Sequence, residues 1–311
     1  MKTLKNGHWA DDLLMALTSA GKPEWLKTKL QTMGSFAKVR ETVKNLGLNT
    51  VCESAHCPNI SECWSGGTAT FMVMGDTCTR GCRFCEVSHG KAKELDLFEP
   101  VKLAKAVKEF NLDYVVITSV DRDDLPDQGS LHFAACIKAV KKMNSGILVE
   151  VLIPDFRGRE DLIKNIVDAG PDVIAHNVET VRRLQRFVRD IRANYDQSLS
   201  VLRTAKKLNP SIRTKSSIML GLGETEQEVC ETMDDLRNAG VEFFTIGQYL
   251  RPTKRQMSVS KYVHPDVFEK LKLAGEQKGF YYVASGPFVR SSYRAGELFV
   301  KSILEKEPKH Q

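Results

Sequence analysis

Six of the eight cysteines lie in one short stretch of the chain, between Cys52 and Cys85, far more than an even spread along 311 residues would place there. The N-terminus, MKTLKNGHWADDLLMAL, lacks the apolar core of a secretory signal, so we expect a cytoplasmic location. Clustered thiols in that compartment more often bind metal than form disulfides. The sequence therefore predicts a metal centre ligated by thiolates.

The downstream thiols lie in the segment GDTCTRGCRFCEV, where Cys78, Cys82 and Cys85 have the spacing C-x3-C-x2-C. Three thiolates on one loop can hold three irons of a four-iron cluster and leave the fourth iron without a protein ligand. Zinc sites usually have four protein ligands from paired C-x2-C elements, so an iron–sulfur cluster is the better chemical match. An iron that is open to a substrate indicates chemistry rather than electron relay alone.

The upstream thiols lie in VCESAHCPNISECW, where Cys52, Cys57 and Cys63 have the spacing C-x4-C-x5-C. They predict a second cluster, which is also one protein ligand short. The two remaining cysteines, Cys136 and Cys230, fall on apolar faces of predicted helices, and we interpret them as core residues. Neither is an attractive fourth ligand.

The elements that must position these thiols alternate between strand and helix. Apolar, β-rich runs lie at Ala69–Gly75, Tyr114–Val120, Ile147–Pro154, Asp172–Glu179, Ile212–Gly221 and Phe243–Leu250. Helical patterns between them predict a parallel sheet with crossover helices. The ~200 residues involved are fewer than a full eight-stranded barrel uses, so we expect an α/β fold with a partial (β/α)6 barrel of the TIM type.

This fold class predicts three segments and the place of the site. They are an N-terminal extension over 1–68, the barrel over 69–284 and a C-terminal extension over 285–311. Short helices are predicted in the N-terminal extension at Asp11–Leu17 and Phe36–Leu46. Function in such barrels sits on loops after the strand ends, and the first of these loops contains the C-x3-C-x2-C thiols.

In that position, CTRGCRFC resembles the signature of the radical S-adenosylmethionine (SAM) superfamily. The resemblance implies that Cys78, Cys82 and Cys85 ligate a catalytic four-iron, four-sulfur (4Fe–4S) cluster whose free iron binds the methionine part of SAM. One electron from the cluster then cleaves the sulfonium and gives a 5′-deoxyadenosyl radical. Phe84 occupies the position before the last cysteine, which is often aromatic in this superfamily.

The two cysteine motifs in this order resemble the lipoyl synthase family, which also has an Arg-Ser-Ser-Tyr motif near the C-terminus. This chain has that motif at residues 290–293. The resemblance implies an auxiliary 4Fe–4S cluster with the ligands Cys52, Cys57, Cys63 and Ser292. A serine oxygen is a harder ligand than a thiolate and suits iron–sulfide chemistry less well. Ser292 therefore counts among the catalytic residues, because its release gives the cluster a weak point from which sulfur can leave.

A barrel that binds SAM needs polar groups at its strand ends. A carboxylate and an amide suit the ribose hydroxyls, and an arginine suits the methionine carboxylate. We therefore predict SAM contacts from Phe84, Ser119, Asp121, Glu150, Asn177 and Arg189. As an alternative to SAM contact by Asp121, the acidic residues Asp121, Asp123 and Asp124 could together bind Mg²⁺.

The resemblance also implies a reaction and its partners. Sulfur from the auxiliary cluster is inserted at carbon 6 and carbon 8 of an octanoyl chain on a carrier lysine, which gives the (dihydro)lipoyl group. The expected carriers are the lipoyl domains of 2-oxoacid dehydrogenase E2 components and the glycine cleavage H protein. A ferredoxin or flavodoxin would donate electrons, and an iron–sulfur carrier would repair the auxiliary cluster. The net charge of +6 suits acidic carriers.

Other functions remain as alternatives. A biotin synthase-like enzyme would lack the upstream triplet, and a tRNA methylthiotransferase-like enzyme would spread its auxiliary cysteines over a separate domain. A non-enzymatic zinc-binding interaction protein is the alternative of a different class. No apolar run approaches the ~18 residues of a membrane span, and a modest positive charge does not by itself indicate nucleic acid. We expect neither a membrane nor a nucleic-acid partner.

Overall fold

The computed structural model describes residues 23–26, 34–54, 57, 59–60, 63 and 70–292. The predicted helix Asp11–Leu17 and the motif residue Tyr293 lie outside the described residues. The predicted helix Phe36–Leu46 is confirmed as a helix over Gly34–Asn45.

The described chain contains ten strands. In chain order, β1 to β10 span Asn49–Thr50, Thr70–Val73, Thr77–Cys78, Ser88–His89, Tyr114–Ser119, Leu148–Leu152, Val173–Ala175, Arg213–Leu220, Phe243–Gln248 and Tyr282–Gly286. Eight of them form one sheet in the order β1-β2-β5-β6-β7-β8-β9-β10, and β3 pairs with β4 separately. All pairs in the large sheet are parallel except β1 with β2.

This sheet confirms the prediction of a partial barrel. Each of the six predicted strands overlaps an observed one, and among the described residues the edge strands β1 and β10 do not pair with each other. The seventh parallel strand, β10, was not predicted, and the proposed boundary after residue 284 falls inside it. The predicted strand Asp172–Glu179 is shorter than expected, although Glu179 still forms an isolated parallel bridge with Ile218.

Nine α-helices are described, and most of them connect the strands. In chain order, α1 to α9 span Gly34–Asn45, Val51–Ser54, Glu99–Glu109, Ser130–Met143, Glu160–Asp168, Gln185–Val188, Tyr195–Leu208, Glu226–Asn238 and Pro265–Gln277. Short 3-10 helices lie at Glu24–Leu26, Phe156–Gly158 and Arg182–Leu184. Helix α8 begins with the capping box that its sequence predicts, because Thr225 and Glu228 bond each other's backbone N–H groups. Among the described residues, no helix has both the length and the apolar composition that a membrane crossing requires.

The core lies between the sheet and these helices. Cys136 is fully buried among Phe133, Ile137 and Val140 of α4, which places it in the core. Cys230 on α8 is half-buried and packs against a second apolar cluster under β8 and β9. Both cysteines therefore lie in helix packing, as their apolar neighbours in the sequence indicate.

The turn from β2 into the loop with the C-x3-C-x2-C thiols is fixed by a buried carboxylate. Met74 has a left-handed backbone with φ 68°, a conformation that non-glycine residues rarely adopt. Its N–H donates to Glu99 Oε2 at 2.9 Å, and His132 Nε2 lies 2.7 Å from the same oxygen. Helices α3 and α4 thus hold the start of the loop through their first turns.

Candidate active site

The C-x3-C-x2-C thiols sit on a loop that follows β2 and is closed by the small β3–β4 pair. Gly90 N–H donates to the Cys78 carbonyl, and Cys85 N–H donates to the Cys82 carbonyl. These bonds fold the loop back on itself, so the three side chains line one cavity. The loop lies at the carboxyl end of the strands, where parallel barrels have their sites.

The three thiols are buried close to one another. Burial is the main cause that raises their pKa, to about 12 for Cys78, about 11 for Cys82 and about 12 for Cys85. The charges of Cys78 and Cys82 further raise the pKa of Cys85. Without a metal these groups stay protonated, so iron must displace protons when it binds.

Backbone N–H groups point at two of the sulfurs. Cys78 Sγ accepts from Arg80 N at 3.4 Å and from Asp121 N at 3.3 Å. Cys82 Sγ accepts from Asp190 N at 3.3 Å. Donors of this kind favour the thiolate over the thiol, so the donor set suits a cluster with anionic sulfur ligands.

Arg80, between the first two thiols, holds the loop to the sheet from inside. Its side chain is 2% exposed. It donates to Asp155 at 2.6 and 2.8 Å and to Asp123 at 2.8 and 2.9 Å, and it lies 3.4 Å from Asp121. Burial by itself raises the pKa of Asp155, but the Arg80 guanidinium outweighs this and holds that pKa at about 2. The loop is therefore bound to the ends of β5 and β6 by a charged, bidentate contact.

The same ion pairs argue against the alternative of a Mg²⁺ site at Asp121, Asp123 and Asp124. Asp123 is bonded to Arg80, and Asp124 accepts two hydrogen bonds from Arg122. These carboxylates therefore already have cationic partners, and the sequence reasoning that considered Mg²⁺ overlooked the neighbouring arginines.

The outer side of the loop is held by the segment after α6. Asp190 accepts from Gly81 N at 2.8 Å, and Arg83 N donates to the Val188 carbonyl at 2.9 Å. Arg192 binds Asp190 and donates to the Thr79 carbonyl at 2.7 Å. The thiol loop is thus fixed between the sheet and this segment.

The upstream thiols meet the C-terminal motif, as the sequence predicts. A second, small cavity of about 20 Å³ is lined by Cys52, Cys57, Asn59, Ile60, Cys63, Thr70, Arg290 and Ser292. Asn59 Nδ2 donates to the Phe288 carbonyl at 2.7 Å, which ties the two segments together. Three thiols and one serine hydroxyl therefore surround one space, which is the donor set proposed for an auxiliary cluster.

The approach of the C-terminal loop depends on the absence of a side chain at Gly247 of β9. A Cβ atom there would lie 2.0 Å from the Val289 carbonyl oxygen. The neighbouring Arg290 is half-buried, and the loss of solvent lowers its pKa, while the Cys57 charge opposes that shift. Arg290 is thus a partly buried cation beside the second set of thiols.

A cavity of about 450 Å³ joins the two sets of thiols. It is lined by Cys78, Cys82 and Cys85, by Cys52 and Cys57, and by Ser292. Five of the predicted SAM contacts also line it, namely Phe84, Ser119, Asp121, Asn177 and Arg189. The structure therefore brings the catalytic cysteines, two auxiliary cysteines with Ser292, and five predicted SAM contacts around one space, while Cys63 lines only the smaller cavity.

Polar atoms without partners point to a polar ligand in this cavity. Among the described residues, Ser119 Oγ, Asn177 Oδ1 and Glu86 Oε2 are buried and have no hydrogen-bond partner. Such groups are costly to bury unsatisfied. Arg189 is also buried, and its Nη1 donates to Ser198 Oγ at 2.7 Å. A hydroxyl- and carboxylate-bearing cofactor such as SAM matches this donor and acceptor set.

Glu150 is the predicted SAM contact that the structure does not bring to the cavity. It lies opposite Val116 and Val173, near the starts of β5 and β7, at the far end of the barrel interior. Lys215 Nζ donates to both of its carboxylate oxygens at 2.8 and 2.9 Å, and the Tyr114 hydroxyl donates at 2.6 Å. We therefore correct its assignment to a buried ion pair of the barrel core.

Other cavity residues were missed by the sequence reasoning. They are Arg80, Asp155 and Glu179, whereas His176 was expected with Asn177 at the end of its strand and also lines the cavity. Burial raises the pKa of Glu179, and burial lowers the pKa of His176 to about 4, with Arg189 adding to that shift. Glu179 lies with His176 and Asn177 in the segment AHNVET, so the strand-end position was an available signal. The role of Arg80 had no signal apart from its place between two cysteines.

Family models match two parts of the chain. The Radical SAM superfamily matches residues 72–236, and the N-terminal domain of lipoyl synthase of the Radical SAM family matches residues 11–57. A mitochondrial lipoyl synthase of Drosophila mojavensis is 56% identical over 293 residues, 92% of this chain and 80% of that protein. A lipoyl synthase of Methanocella arvoryzae is 56% identical over 285 residues, 91% and 96% of the two chains. An apicoplast lipoyl synthase of Plasmodium falciparum is 53% identical over 289 residues, 93% and 70%.

Solved structures share the fold. A methylornithine synthase aligns with a TM-score of 0.53 at 13% identity, over 85% of this chain and 72% of that chain. An FeFe-hydrogenase maturase from Carboxydothermus hydrogenoformans aligns with a TM-score of 0.55 at 14% identity, over 79% and 64%. At this identity the likeness concerns the fold alone.

Replacing Arg80 tests whether its ion pairs with Asp123 and Asp155 clamp the thiol loop to the sheet. We expect Arg80→Gln to lower the free energy of unfolding by about 3–5 kcal/mol, because it leaves buried carboxylates without their cation. Iron bound by the downstream thiols should fall in parallel. Urea denaturation and iron analysis after anaerobic reconstitution measure both. Arg157→Gln is the matched control, since Arg157 also binds Asp123 but is half exposed and should cost less than about 1 kcal/mol. Equal effects of the two changes would contradict the clamp.

Replacing Gly247 tests whether the C-terminal loop has to pack closely against β9. A Gly247→Ala side chain would collide with the Val289 carbonyl and push the loop away from β9. Iron content should fall from that of two clusters toward that of one. Gly286→Ala is the control, because its Cβ would meet Val289 Cγ2 at an ordinary 3.5 Å. Full iron content in Gly247→Ala would show that the loop adapts.

The buried His176 predicts a pH dependence of stability. Its folded pKa of about 4 lies below the ordinary value near 6.5. Between these values the unfolded chain binds more protons, so the free energy of unfolding falls as the pH is lowered from 6.5 to 4. Urea denaturation across this range should show a shallower fall for His176→Gln. Identical pH profiles for the two proteins would contradict the neutral, buried state of His176.

Proposed function

The chain belongs to the lipoyl synthase family of the Radical SAM superfamily, and on this premise we propose how its residues insert two sulfur atoms into a protein-bound octanoyl chain. The product is the (dihydro)lipoyl group, with sulfur at carbon 6 and carbon 8. One observation carries the proposal, namely the cavity that all three downstream thiols line together with Cys52, Cys57 and Ser292. A chain end placed between them is within reach of a radical source on one side and a sulfur source on the other.

The groups that do the chemistry are two 4Fe–4S clusters and SAM, which together supply a radical that removes hydrogen from the chain and the sulfur that replaces it. Cys78, Cys82 and Cys85 would hold the catalytic cluster, and their number leaves one iron for SAM. The backbone N–H groups of Asp121 and Asp190 would stabilise the charge on the Cys78 and Cys82 sulfurs.

The cavity walls would hold SAM by its polar groups. Asn177 and Ser119 offer an amide oxygen and a hydroxyl that have no partner among the described residues. These atoms suit ribose or amino hydrogens. Arg189 is a buried cation that suits the methionine carboxylate. Phe84 would contribute an apolar face beside the catalytic thiols.

The auxiliary cluster would be held by Cys52, Cys57, Cys63 and Ser292. Arg290 is half-buried next to Cys57 and favours its thiolate, although burial of the thiol is the larger effect and raises its pKa. The serine oxygen is the hardest of the four ligands and the one most readily released. We propose that Ser292 leaves first when sulfur is given up.

The rest of the cavity suits the hydrocarbon chain. Met72, Val120, Ile218, Met219 and Val289 contribute apolar surface to its lining. Their role would be to align an unactivated C–H bond and to exclude water. Radical transfer needs no general base, which agrees with the poor basicity of His176, whose pKa burial lowers to about 4.

The partners follow from the family at two levels. Lipoyl-domain proteins are the substrates of lipoyl synthases, and we propose that E2 components and the glycine cleavage H protein present the octanoyl-lysine arm here. A ferredoxin or flavodoxin would be the reductant, and an iron–sulfur carrier would rebuild the auxiliary cluster. The cytoplasmic location stays a prediction, since relatives include mitochondrial and apicoplast proteins.

Single cysteine changes should separate the two sites. Cys82→Ala should abolish 5′-deoxyadenosine formation, because two thiolates cannot hold a cluster with one open iron. Cys57→Ala should leave 5′-deoxyadenosine formation intact and abolish sulfur insertion, because only the sulfur donor is lost. The assay is anaerobic incubation with an octanoyl-lysyl peptide, SAM and dithionite, followed by mass spectrometry.

Cys230→Ala is the matched control, since this cysteine lies on α8 outside both sites. It should leave cleavage and sulfur insertion unchanged. Retained 5′-deoxyadenosine formation in Cys82→Ala would refute the assignment of the catalytic cluster. Normal lipoyl product from Cys57→Ala would refute the role of the upstream thiols as the sulfur source.

A further inference from the structure

An exposed apolar pair lies on the outer side of the catalytic loop. Phe187 is 61% exposed and Ile191 is 89% exposed. Most large apolar side chains of the described chain are buried, and Leu97 and Phe98 at the start of α3 are the other exposed apolar pair that is close in sequence. We define the Phe187 surface as these two residues with the exposed cations beside them, Arg83, Arg186, Lys254 and Arg255.

Hydrogen bonds link the three segments that carry these residues. Arg83 Nη1 donates to the Phe187 carbonyl at 3.3 Å. The loop with Lys254 and Arg255 is held to the same place, because Met257 N donates to the Arg83 carbonyl at 3.0 Å. Gln256 Nε2 also donates to the Cys85 carbonyl at 3.3 Å. The surface is therefore continuous from the segment after β7 to the loop after β9.

The cations of this surface lack counter-charges. No ion pair involves Arg83, Arg186, Lys254 or Arg255 within the part of the chain that the structure describes. Neighbouring arginines differ, since Arg183 pairs with Glu228 and Arg192 pairs with Asp190. The unpaired positive charge is thus concentrated around the exposed apolar pair, and this combination suits an acidic protein partner.

The surface is connected to a catalytic thiol by a short path. Ile191 follows Asp190, and the Asp190 N–H donates to Cys82 Sγ at 3.3 Å. One peptide unit and one hydrogen bond therefore link the surface to a ligand of the catalytic cluster. Neither Phe187 nor Ile191 lines the cavity. The exposed apolar pair therefore lies outside the cavity that an acyl arm would have to enter.

We propose that the Phe187 surface is the docking site of an acidic, low-potential one-electron donor protein. The proposal rests on the function above, which needs one electron for each SAM cleaved. The donor is oxidised by one electron, the iron–sulfur site held by Cys78, Cys82 and Cys85 is reduced by one, and no bond forms between the proteins. Transient redox complexes have small interfaces, and two apolar residues with a rim of cations match that size.

The test introduces glutamate at one cation and one apolar residue of the Phe187 surface, and makes the same two kinds of change on helix α4. The variants Arg186→Glu and Ile191→Glu are compared with Lys138→Glu and Leu131→Glu on α4. Leu131 is the control for Ile191, since both are exposed apolar residues, 62% and 89% exposed respectively. Binding of an acidic flavodoxin and an acidic ferredoxin to each cluster-loaded protein is measured by calorimetry at two salt concentrations. SAM cleavage is measured with each reduced donor and, separately, with dithionite.

We expect Arg186→Glu and Ile191→Glu to weaken donor binding by about tenfold each and to slow donor-driven cleavage by a similar factor. Dithionite-driven cleavage should stay at the wild-type rate, and the α4 variants should bind donor normally. Unchanged donor binding in both surface variants would overturn the proposal, as would the failure of both donors to bind the wild-type protein. A loss of affinity for an octanoylated lipoyl domain, with donor affinity unchanged, would assign the surface to the carrier instead.

Failure of the proposed function gives a different result. A protein that cleaves SAM with dithionite but makes no lipoyl product would refute sulfur insertion, while the binding measurements would still decide the docking site. The Arg186→Glu and Ile191→Glu side chains are exposed, so loss of folding is not expected, and their unfolding curves provide the check.

Discussion

The buried guanidinium of Arg80 is the constraint on which the site depends. A cation that is 2% exposed is stable only where carboxylates match it closely, and Asp123 and Asp155 come from the ends of two neighbouring strands. The position of the thiol loop is therefore set by the register of β5 and β6 rather than by the cysteines themselves. Arg157 and Arg192 add positive charge at Asp123, which offsets the excess of carboxylates. The loop is thus held by contacts that do not involve the cysteine side chains.

The open sheet explains where the second site can form. Seven parallel strands and the antiparallel β1 form one sheet that does not close among the described residues. Its edge strands are β1 on one side and β10 on the other. The upstream thiols continue from β1, and the serine motif continues from β10. The bond from Asn59 to the Phe288 carbonyl joins these two ends. A closed eight-stranded barrel would occupy this gap with strand pairing, so the missing part of the barrel is what gives the auxiliary site its space.

The sequence predicted the local features and missed those that depend on distant partners. The six strands and both cysteine sets follow from short patterns, and so does the capping box at Thr225. The seventh strand was missed because YVASG is short and only half-buried. Glu150 was misplaced because a strand sequence does not show which end of the barrel a residue occupies. Its partner Lys215 lies 65 positions away, and no local pattern connects them. The role of Arg80 was missed for the same reason, because its partners Asp123 and Asp155 follow two later strands.

The two sites differ in how much of the fold each one needs. The catalytic ligands Cys78, Cys82 and Cys85 lie within one loop, so little chain entropy is lost in bringing them together. The auxiliary ligands come from segments 229 positions apart at their linking hydrogen bond, and they meet only when β10 has joined the sheet. The fourth proposed ligand is the Ser292 oxygen, a harder donor that suits iron–sulfide chemistry less well than a thiolate. Packing of the C-terminal loop against Gly247, and not a strong iron–oxygen bond, would therefore hold Ser292 in place. A ligand held by its loop can be released without unfolding the sheet, and this is what a site that gives up its own sulfur requires.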